Sequence, residues 1–266
     1  MKIITLIKYS LDTSEIRVNP DTKEINLKGV PAKIGNIDKN VVEAAVRLRE
    51  INGGDIVGLM FGPMIAKESF KDVLAMGLDE VYLVEEPNQA IDCKNTVRIL
   101  EEAIKKLGNY DLIICGFASD DGYTFQVGPR LAERLNIPII SYVQQFTIEN
   151  GTIQADRDLE DSVQKVMAKL PAIISIAEEA YPPRRVTLMD ALKAKQKPIT
   201  IWKLEDLGIS IDKLLNTSSF TSLGTTGIII DRKQIILRNA PPNELADKLL
   251  DALLNENIIR ETTNHG

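Results

Sequence analysis

The chain has 266 residues, 44% hydrophobic and 26% charged, with a net charge of −6. That balance belongs to a globular protein with a sizeable core and excludes a disordered chain, and the acidic excess argues against a nucleic-acid coat, whose footprint is a basic face. Two cysteines, Cys93 and Cys115, and one histidine, His265, offer no disulfide framework, no metal-ligand spacing and no His-based triad.

Aromatic residues are only 5% of the chain, and its aliphatic runs suit parallel strands buried on both faces. The first predicted element is a strand over 3–7, followed by turn signals at Asn19-Pro20-Asp21 and Gly29-Val30-Pro31. Asp38 sits where a helix N-cap is expected, ahead of Val41, Val42, Ala45, Val46 and Leu48 at helical spacing; the alternative reading puts the Gly35–Asp38 loop at the mouth of the sheet beside the first strand, lining a ligand crevice. Gly53-Gly54 ends that helix. A second strand covers 56–61 and turns at Gly62-Pro63, a helix covers 66–76 and stops at Gly77, and a third strand covers 80–84. An amphipathic helix over 96–107 and a strand over 112–115 complete an alternation that implies a parallel sheet covered on both faces. Ligands of such sheets sit beyond the carboxyl ends of the strands, near a topological switch point.

The loop over 120–129 then leads into a helix expected over 124–135. Gly122 permits a tight turn there, and Gly128 permits close approach of a ligand or of neighbouring backbone. Free N–H groups at the helix start suit a phosphate, with Thr124 and Gln126 as side-chain donors. Asp-Asp-Gly before a helix fits a plain turn and cap as well, since the loop is neither a Walker loop nor a Gly-x-Gly-x-x-Gly fingerprint. Phe61 is read either as a core residue or as the edge of the same crevice.

After Pro138 the pattern becomes antiparallel. Strands over 141–149 and 152–156 flank Asn150-Gly151, a hairpin signal, and strands over 162–167 and 172–176 are expected to continue that region. A basic stretch over 193–197 reads as a solvated face or as a docking surface for an acidic partner. Residues 210–226 read as a polar linker. A last helix after Pro241-Pro242 places Leu245, Leu249, Leu250, Leu253 and Leu254 on one side, too little for its own core and suited to a partner subunit. The fold expected is therefore α/β, a doubly wound, mostly parallel, Rossmann-like sheet with an antiparallel extension. Its domain would cover 1–200 and an extended C-terminal arm 201–266. The apolar run at the N-terminus is too short for a signal peptide and no stretch reaches membrane-span length, so the expected location is cytoplasmic.

In order along the chain, Lys8 with Asp12-Thr13, Asp38-Lys39-Asn40 with Glu43-Ala44-Ala45, Gly62-Pro63 with Leu74-Ala75-Met76-Gly77, the 120–129 loop, and Arg157-Asp158-Leu159-Glu160-Asp161 resemble the beta subunit of electron-transfer flavoprotein. The resemblance implies a heterodimer whose alpha subunit holds most of the redox FAD. It also implies an adenine nucleotide in this subunit, AMP in simple carriers or a second FAD in bifurcating members that take hydride from NADH. By position, the nucleotide contacts would be Leu6, Gly35, Asn36, Ile37, Asp38, Phe61, Asp121, Gly122, Tyr123, Thr124, Phe125, Gln126, Val127, Gly128, Pro129, Arg130, Leu131 and Ala132. Thr13 and Ile37 would approach the alpha-bound flavin, and Tyr181 would mark the loop that docks dehydrogenases. The partners implied are the alpha subunit, acyl-CoA-type dehydrogenases and a quinone reductase. In that role the chain is an electron-carrier subunit rather than a stand-alone enzyme. Phe117-Ala118-Ser119, Tyr123 and Gly35-Asn36 depart from the common family residues. Gly122, Thr124, Gln126, Val127, Gly128 and Pro129 resemble FAD-holding members more than AMP-holding ones. The competing expectation is a stand-alone AMP-responsive module with a well-packed tail and no redox partner.

Overall fold

The structure is a computed structural model that describes residues 1–218, 224–229 and 233–259. The chain opens with β1 (Lys2–Leu6), β2 (Tyr9–Leu11), β3 (Arg17–Val18), β4 (Ile25–Asn26), β5 (Ala32–Ile34) and α1 (Asn36–Asn52). Next come β6 (Asp55–Gly62), α2 (Phe70–Met76), β7 (Glu80–Glu85), α3 (Cys93–Leu107), β8 (Leu112–Gly116) and α4 (Val127–Leu135). The second half holds β9 (Ile139–Glu149), β10 (Thr152–Asp158), β11 (Val163–Lys169), β12 (Ala172–Ile176), α5 (Leu188–Ala194), β13 (Ile199–Trp202), α6 (Ile211–Leu215) and α7 (Pro242–Asn255).

Nine strands form one sheet in the order β11-β10-β9-β12-β8-β1-β6-β7-β13. From β9 to β13 every neighbouring pair is parallel, and β10 and β11 add the antiparallel extension. Alternation along the strands sends side chains to two cores. Ile3, Ile56, Met60 and Ile114 face α1 and α2, whereas Ile4, Leu59, Ile113 and Ile173 face α3 and α4. The doubly wound α/β expectation holds.

Four local expectations are corrected. The strand at 172–176 is parallel to both neighbours, pairing Leu112 with Ala172 on one side and Ile139 with Ile173 on the other. All five of its residues are buried. An antiparallel edge position would have left one face wet, so the strand inserts centrally. Asp38 is not the N-cap of α1: Gly35 is, and Asp38 lies in the first turn. The helix after the 120–129 loop starts at Val127, with Thr124 and Phe125 still in the loop. The stretch 64–69 is a 3-10 helix ahead of α2.

The second core runs on past β13 through Leu204, Ile209 and Leu214. The segment read as a linker therefore contains α6, whose Leu214 is fully buried, and Asn95 of α3 donates to the Leu214 carbonyl at 2.9 Å. Farther on, the arm touches the body where Gly227 N–H donates to the Lys23 carbonyl at 2.8 Å. No residue of α7 is buried.

Gly128 lies on the face of α4 turned to the sheet, where a Cβ would stand 3.1 Å from Cys115 Sγ and 3.3 Å from Ile139 Cδ1. The close approach that its missing Cβ permits is that of helix to sheet. Gly128→Leu should therefore cost about 1–3 kcal/mol or more by overpacking. Ile114→Ala, which empties a fully buried site, should cost about 2–5 kcal/mol. Urea midpoints at unchanged m-value check both.

Candidate functional site

Chain order turns at β1. The chain runs from β1 to β6 and β7 on one side and then crosses to β8 on the other. That reversal opens a crevice between the carboxyl ends of β1 and β8. A cleft of about 300 Å³ occupies it, lined by residues 6–9 after β1, Phe61–Pro63 after β6 and residues 115–119 after β8, with the 122–127 loop alongside. Leu6, Leu59, Phe61, Ile91 and Leu100 give it apolar walls.

Polar groups converge on the same space. Asp38 is 4% exposed, and its Oδ1 accepts the Lys8 backbone N–H at 3.1 Å. Its Oδ2 has no hydrogen-bond partner among the described residues. Burial, reinforced by nearby Asp120, holds the Asp38 carboxyl well above the usual carboxylate range. Burial also raises Asp120 and Glu86. The Lys8 ammonium donates to Asp121 Oδ1 at 2.5 Å and to Ser119 Oγ at 3.5 Å. No side chain caps the N-terminus of α4, so its first N–H groups and positive dipole end are free to meet an anion.

The loop between β8 and α4 is backbone-strained. Tyr123 has φ 45° and Phe125 φ 60°, left-handed values that bulky residues adopt rarely. Such residues cluster at ligand clamps, and each costs on the order of 1–3 kcal/mol. Gly35 has a separate reason to be glycine. A Cβ there would fall 1.4 Å from Asp120 Oδ2, and Asp120 accepts the Asn36 backbone N–H, so a carboxylate from the neighbouring loop serves the start of α1.

Of the residues expected at the site, Leu6, Asp38, Phe61, Gly122, Thr124, Phe125, Gln126 and Val127 line the cleft. Asp121 stands beside it through Lys8. Asn36 is exposed, whereas Ile37 is buried, where a Cβ on Gly116 would crowd it. Along α4, Leu131 and Ala132 join Gly128 in facing the sheet, and Pro129 and Arg130 are exposed. Tyr123 stands at the mouth in contact with Phe117 and Phe125. Thr13 lies on an exposed 3-10 turn outside the cleft lining. Tyr181 is elsewhere, against α1: its N–H donates to Asn40 Oδ1 at 3.0 Å and its ring packs on Phe146 and under Arg47. Lys8, Ser119 and Glu86 line the cleft without having been expected contacts, and only the charge of Lys8 directly after a strand could have signalled it. His265 lies outside the described residues.

This donor set fits an adenine nucleotide. The apolar walls suit a base, the orphan carboxyl oxygen suits a ligand N–H or hydroxyl, and Lys8 with the open end of α4 suits a phosphate. It does not resemble a nucleophile–base pair. Burial pushes the Cys115 thiol up to about 12 and raises Cys93 as well, so neither is a thiolate at neutral pH. Among the described residues no group of His, Cys, Asp and Glu could hold a metal ion, and no helix is long and apolar enough to cross a membrane.

Residues 23–207 match the electron transfer flavoprotein domain family. The chain is 37% identical over 216 residues to the electron transfer flavoprotein subunit beta of Thermoanaerobacterium thermosaccharolyticum, covering 80% of this chain and 83% of that one. It is 31% identical to the caffeyl-CoA reductase-Etf complex subunit CarD of Acetobacterium woodii, covering 97% and 100%. It is 36% identical to protein FixA of Bradyrhizobium diazoefficiens, covering 79% and 75%. The family match over most of the chain, with relatives 31–37% identical across it, places this chain in the electron transfer flavoprotein family, among its beta subunits.

Proposed function

We propose that this chain is the beta subunit of a heterodimeric electron-transfer flavoprotein that binds an adenine nucleotide, AMP or a second FAD, in the cleft between β1 and β8. The observation that carries the reading is the buried, partnerless Asp38 Oδ2 in a cleft that also presents Lys8 and the uncapped start of α4. Leaving a buried polar atom unpaired costs roughly 1–3 kcal/mol, a cost that a ligand N–H or hydroxyl relieves. The ion pair of Lys8 with Asp121 is largely exposed and worth about 0–1 kcal/mol, so the ammonium can turn to a phosphate at little cost. Flavin supplies the redox chemistry when bound; the residues of this chain bind, orient and exclude water.

The C-terminal arm fits a partner chain. Leu249 and Leu250 of α7 are half exposed, and Ile228, Ile235 and Ile236 are more so. These residues would cover the alpha subunit, where the FAD of the heterodimer is chiefly held. The unburied tail disfavours a stand-alone AMP-responsive module. Docking of dehydrogenases suits the segment that Tyr181 begins. There α5 is fixed by a capping box between Thr187 and Asp190 and exposes Leu188, Met189 and Leu192. The name of the Acetobacterium woodii relative, a caffeyl-CoA reductase complex subunit, supports a donor or acceptor of the acyl-CoA-dehydrogenase type. NADH is the donor if the cleft holds FAD and bifurcates, and a quinone reductase or another carrier is the acceptor. The cytoplasm suits these partners.

Co-purification with the alpha subunit and a count of released nucleotides tests the reading. One FAD plus one further adenine nucleotide, AMP or FAD, is expected per heterodimer, and a single FAD alone would refute the cleft assignment. Lys8→Ala should weaken retention of that second nucleotide roughly tenfold or more, as loss of a charge-assisted hydrogen bond does.

Asp38 predicts a pH effect in the nucleotide-free protein. A carboxyl whose folded pKa is raised binds its proton more tightly in the native state than in the unfolded one. Its contribution to stability is therefore greatest below the ordinary carboxylate pKa and is lost as pH rises through the raised one. Asp38→Asn should remove that loss, so the stability difference, variant minus wild type, should grow with pH across this window. Urea melts at a series of pH values measure it, and a difference flat with pH would contradict the assignment.

A further inference from the structure

The basic stretch 193–197 is not a uniform solvated face. Its outer lysines, Lys193 and Lys197, line a second hollow of about 240 Å³ between α1, α2 and α5, and Lys195 does not. Arg49 of α1 and Arg184 from the segment after β12 line it too, over the last turn of α2. No residue lines both this hollow and the nucleotide cleft.

Cations brought together from separate segments repel one another unless their charges are answered. Two of these are. Arg49 pairs with Asp79 at 3.0 Å and donates to the Gly77 carbonyl at 2.9 Å, and Arg184 pairs with Glu43 at 2.8 Å and Glu50 at 2.7 Å. Lys193 and Lys197 have no carboxylate within ion-pair distance among the described residues. The Lys197 ammonium donates to the Leu74 carbonyl at 2.9 Å and the Leu78 carbonyl at 2.6 Å, which caps the end of α2 and leaves one N–H group unused. Burial, with Arg49 and Lys193 nearby, holds its pKa below the usual lysine range in spite of Asp79 and Asp190. Asp190, the carboxylate of the lining, is engaged by its capping box: its Oδ2 accepts the Thr187 N–H at 3.0 Å and the Thr187 hydroxyl at 2.6 Å.

The bonds of Arg49 run through Nη1, so Nη2 keeps its donors. Gly77 lets that group lie over the helix end. Its φ is 140°, and a Cβ there would stand 2.8 Å from Val46 Cγ2 and 3.2 Å from Arg49 Nη2. Capping of α2 explains Lys197 and Arg49. It does not explain Lys193, which makes no hydrogen bond among the described residues and still lines the hollow. We propose that this hollow binds a phosphate-class oxyanion, held by Lys193 and Lys197 with the spare donors of Arg49 and Arg184. A tetrahedral, doubly charged anion accepts from several sides at once, which suits cations converging from α1, α5 and the segment between β12 and α5; a carboxylate presents its oxygens in one plane. The apolar lining is Leu74, Ala75 and Met76 with no aromatic ring, so a nucleotide base finds no stacking partner there. The bound anion would tie α5 to α1 and α2 and steady the helix that exposes Leu188, Met189 and Leu192.

The test uses the heterodimer co-expressed with its alpha subunit and carrying its resident nucleotides. Inorganic phosphate and glycerol 3-phosphate are titrated calorimetrically against sodium chloride of matched ionic strength, for wild type, Lys193→Gln and Lys8→Ala. Saturable phosphate binding is expected in wild type and in Lys8→Ala. In Lys193→Gln it should weaken on the order of tenfold, as loss of a charge-assisted hydrogen bond does. Lys193 is exposed and has no bond to lose, so folding of that variant is not at stake. Amide exchange over 188–194 should slow when phosphate is bound. Equal binding of glycerol 3-phosphate identifies the terminal phosphate of an organic ligand as sufficient, and binding of inorganic phosphate alone identifies the free ion; either supports the site. No saturable binding beyond the chloride control overturns it, and so does unchanged affinity in Lys193→Gln. Binding that is lost in Lys8→Ala and kept in Lys193→Gln places the anion in the nucleotide cleft and overturns it as well.

Discussion

The structure depends on the burial of β1 between β6 and β8. Ile3 pairs with Ile56 on one side and with Leu112 on the other, and Ile3 and Ile4 are fully buried on opposite faces. A strand with both edges bonded and both faces dry must have helices above and below it. Each fully buried aliphatic side chain contributes roughly 1.5–3 kcal/mol, so this central block outweighs the strain stored in any one loop. It also fixes where the cleft lies, because the chain leaves β1 in one direction and returns at β8 from the other. The crevice results from that crossing.

Around this rigid centre, polar groups are arranged with very different stakes. Burial alone would raise the Glu43 carboxyl, but hydrogen bonds from Arg184 and Arg47 outweigh it and hold the pKa below the usual range. The Glu43 carboxylate is nearly buried, and removal of the Arg184 side chain would leave it paired with Arg47 alone among the described side chains. The Arg184–Glu43 pair, with the bond from Tyr181 to Asn40, pins the segment after β12 on α1 and gives α5 a fixed base. At the cleft the opposite holds. Lys8 is in an exposed pair, Asp38 is left half-satisfied, and Tyr123 and Phe125 are strained. Glu43 in the body has charged partners, whereas Asp38 Oδ2 at the cleft has none among the described residues.

Legibility in the sequence followed the same division. The strands at 3–7, 56–61, 80–84 and 112–115 and the hairpin at Asn150-Gly151 stood out because period-two burial and turn chemistry are local properties. The 120–129 loop was legible as a candidate because a helix start after a strand is also local. Asp38 carries two readings in the sequence: the cap that its residue type favours fails, because it lies in the first turn of α1, and its place at the crevice holds, because it lines the cleft. Gly128 reads in the sequence as a point of close approach, and only the packing of α4 on Cys115 and Ile139 shows what approaches.

By itself, the sequence determined the alternation of strands and helices, the doubly wound class, the tail that lacks a core of its own and the family. The first three rest on periodicity, turn residues and order along the chain, and the family rests on the likeness of its motifs to known members. Only the tertiary structure decided that residues 172–176 insert in parallel between β8 and β9, that α6 belongs to the core, and that Lys8, Asp38 and Ser119 share one cleft. It also brought Phe117, Tyr123, Phe125 and Tyr142 into one cluster, which no spacing in the sequence announces. The physical reason is that strand order and a bulge in β9 set those meetings, and both are chosen by which faces must be buried across the whole sheet rather than by any residue's neighbours.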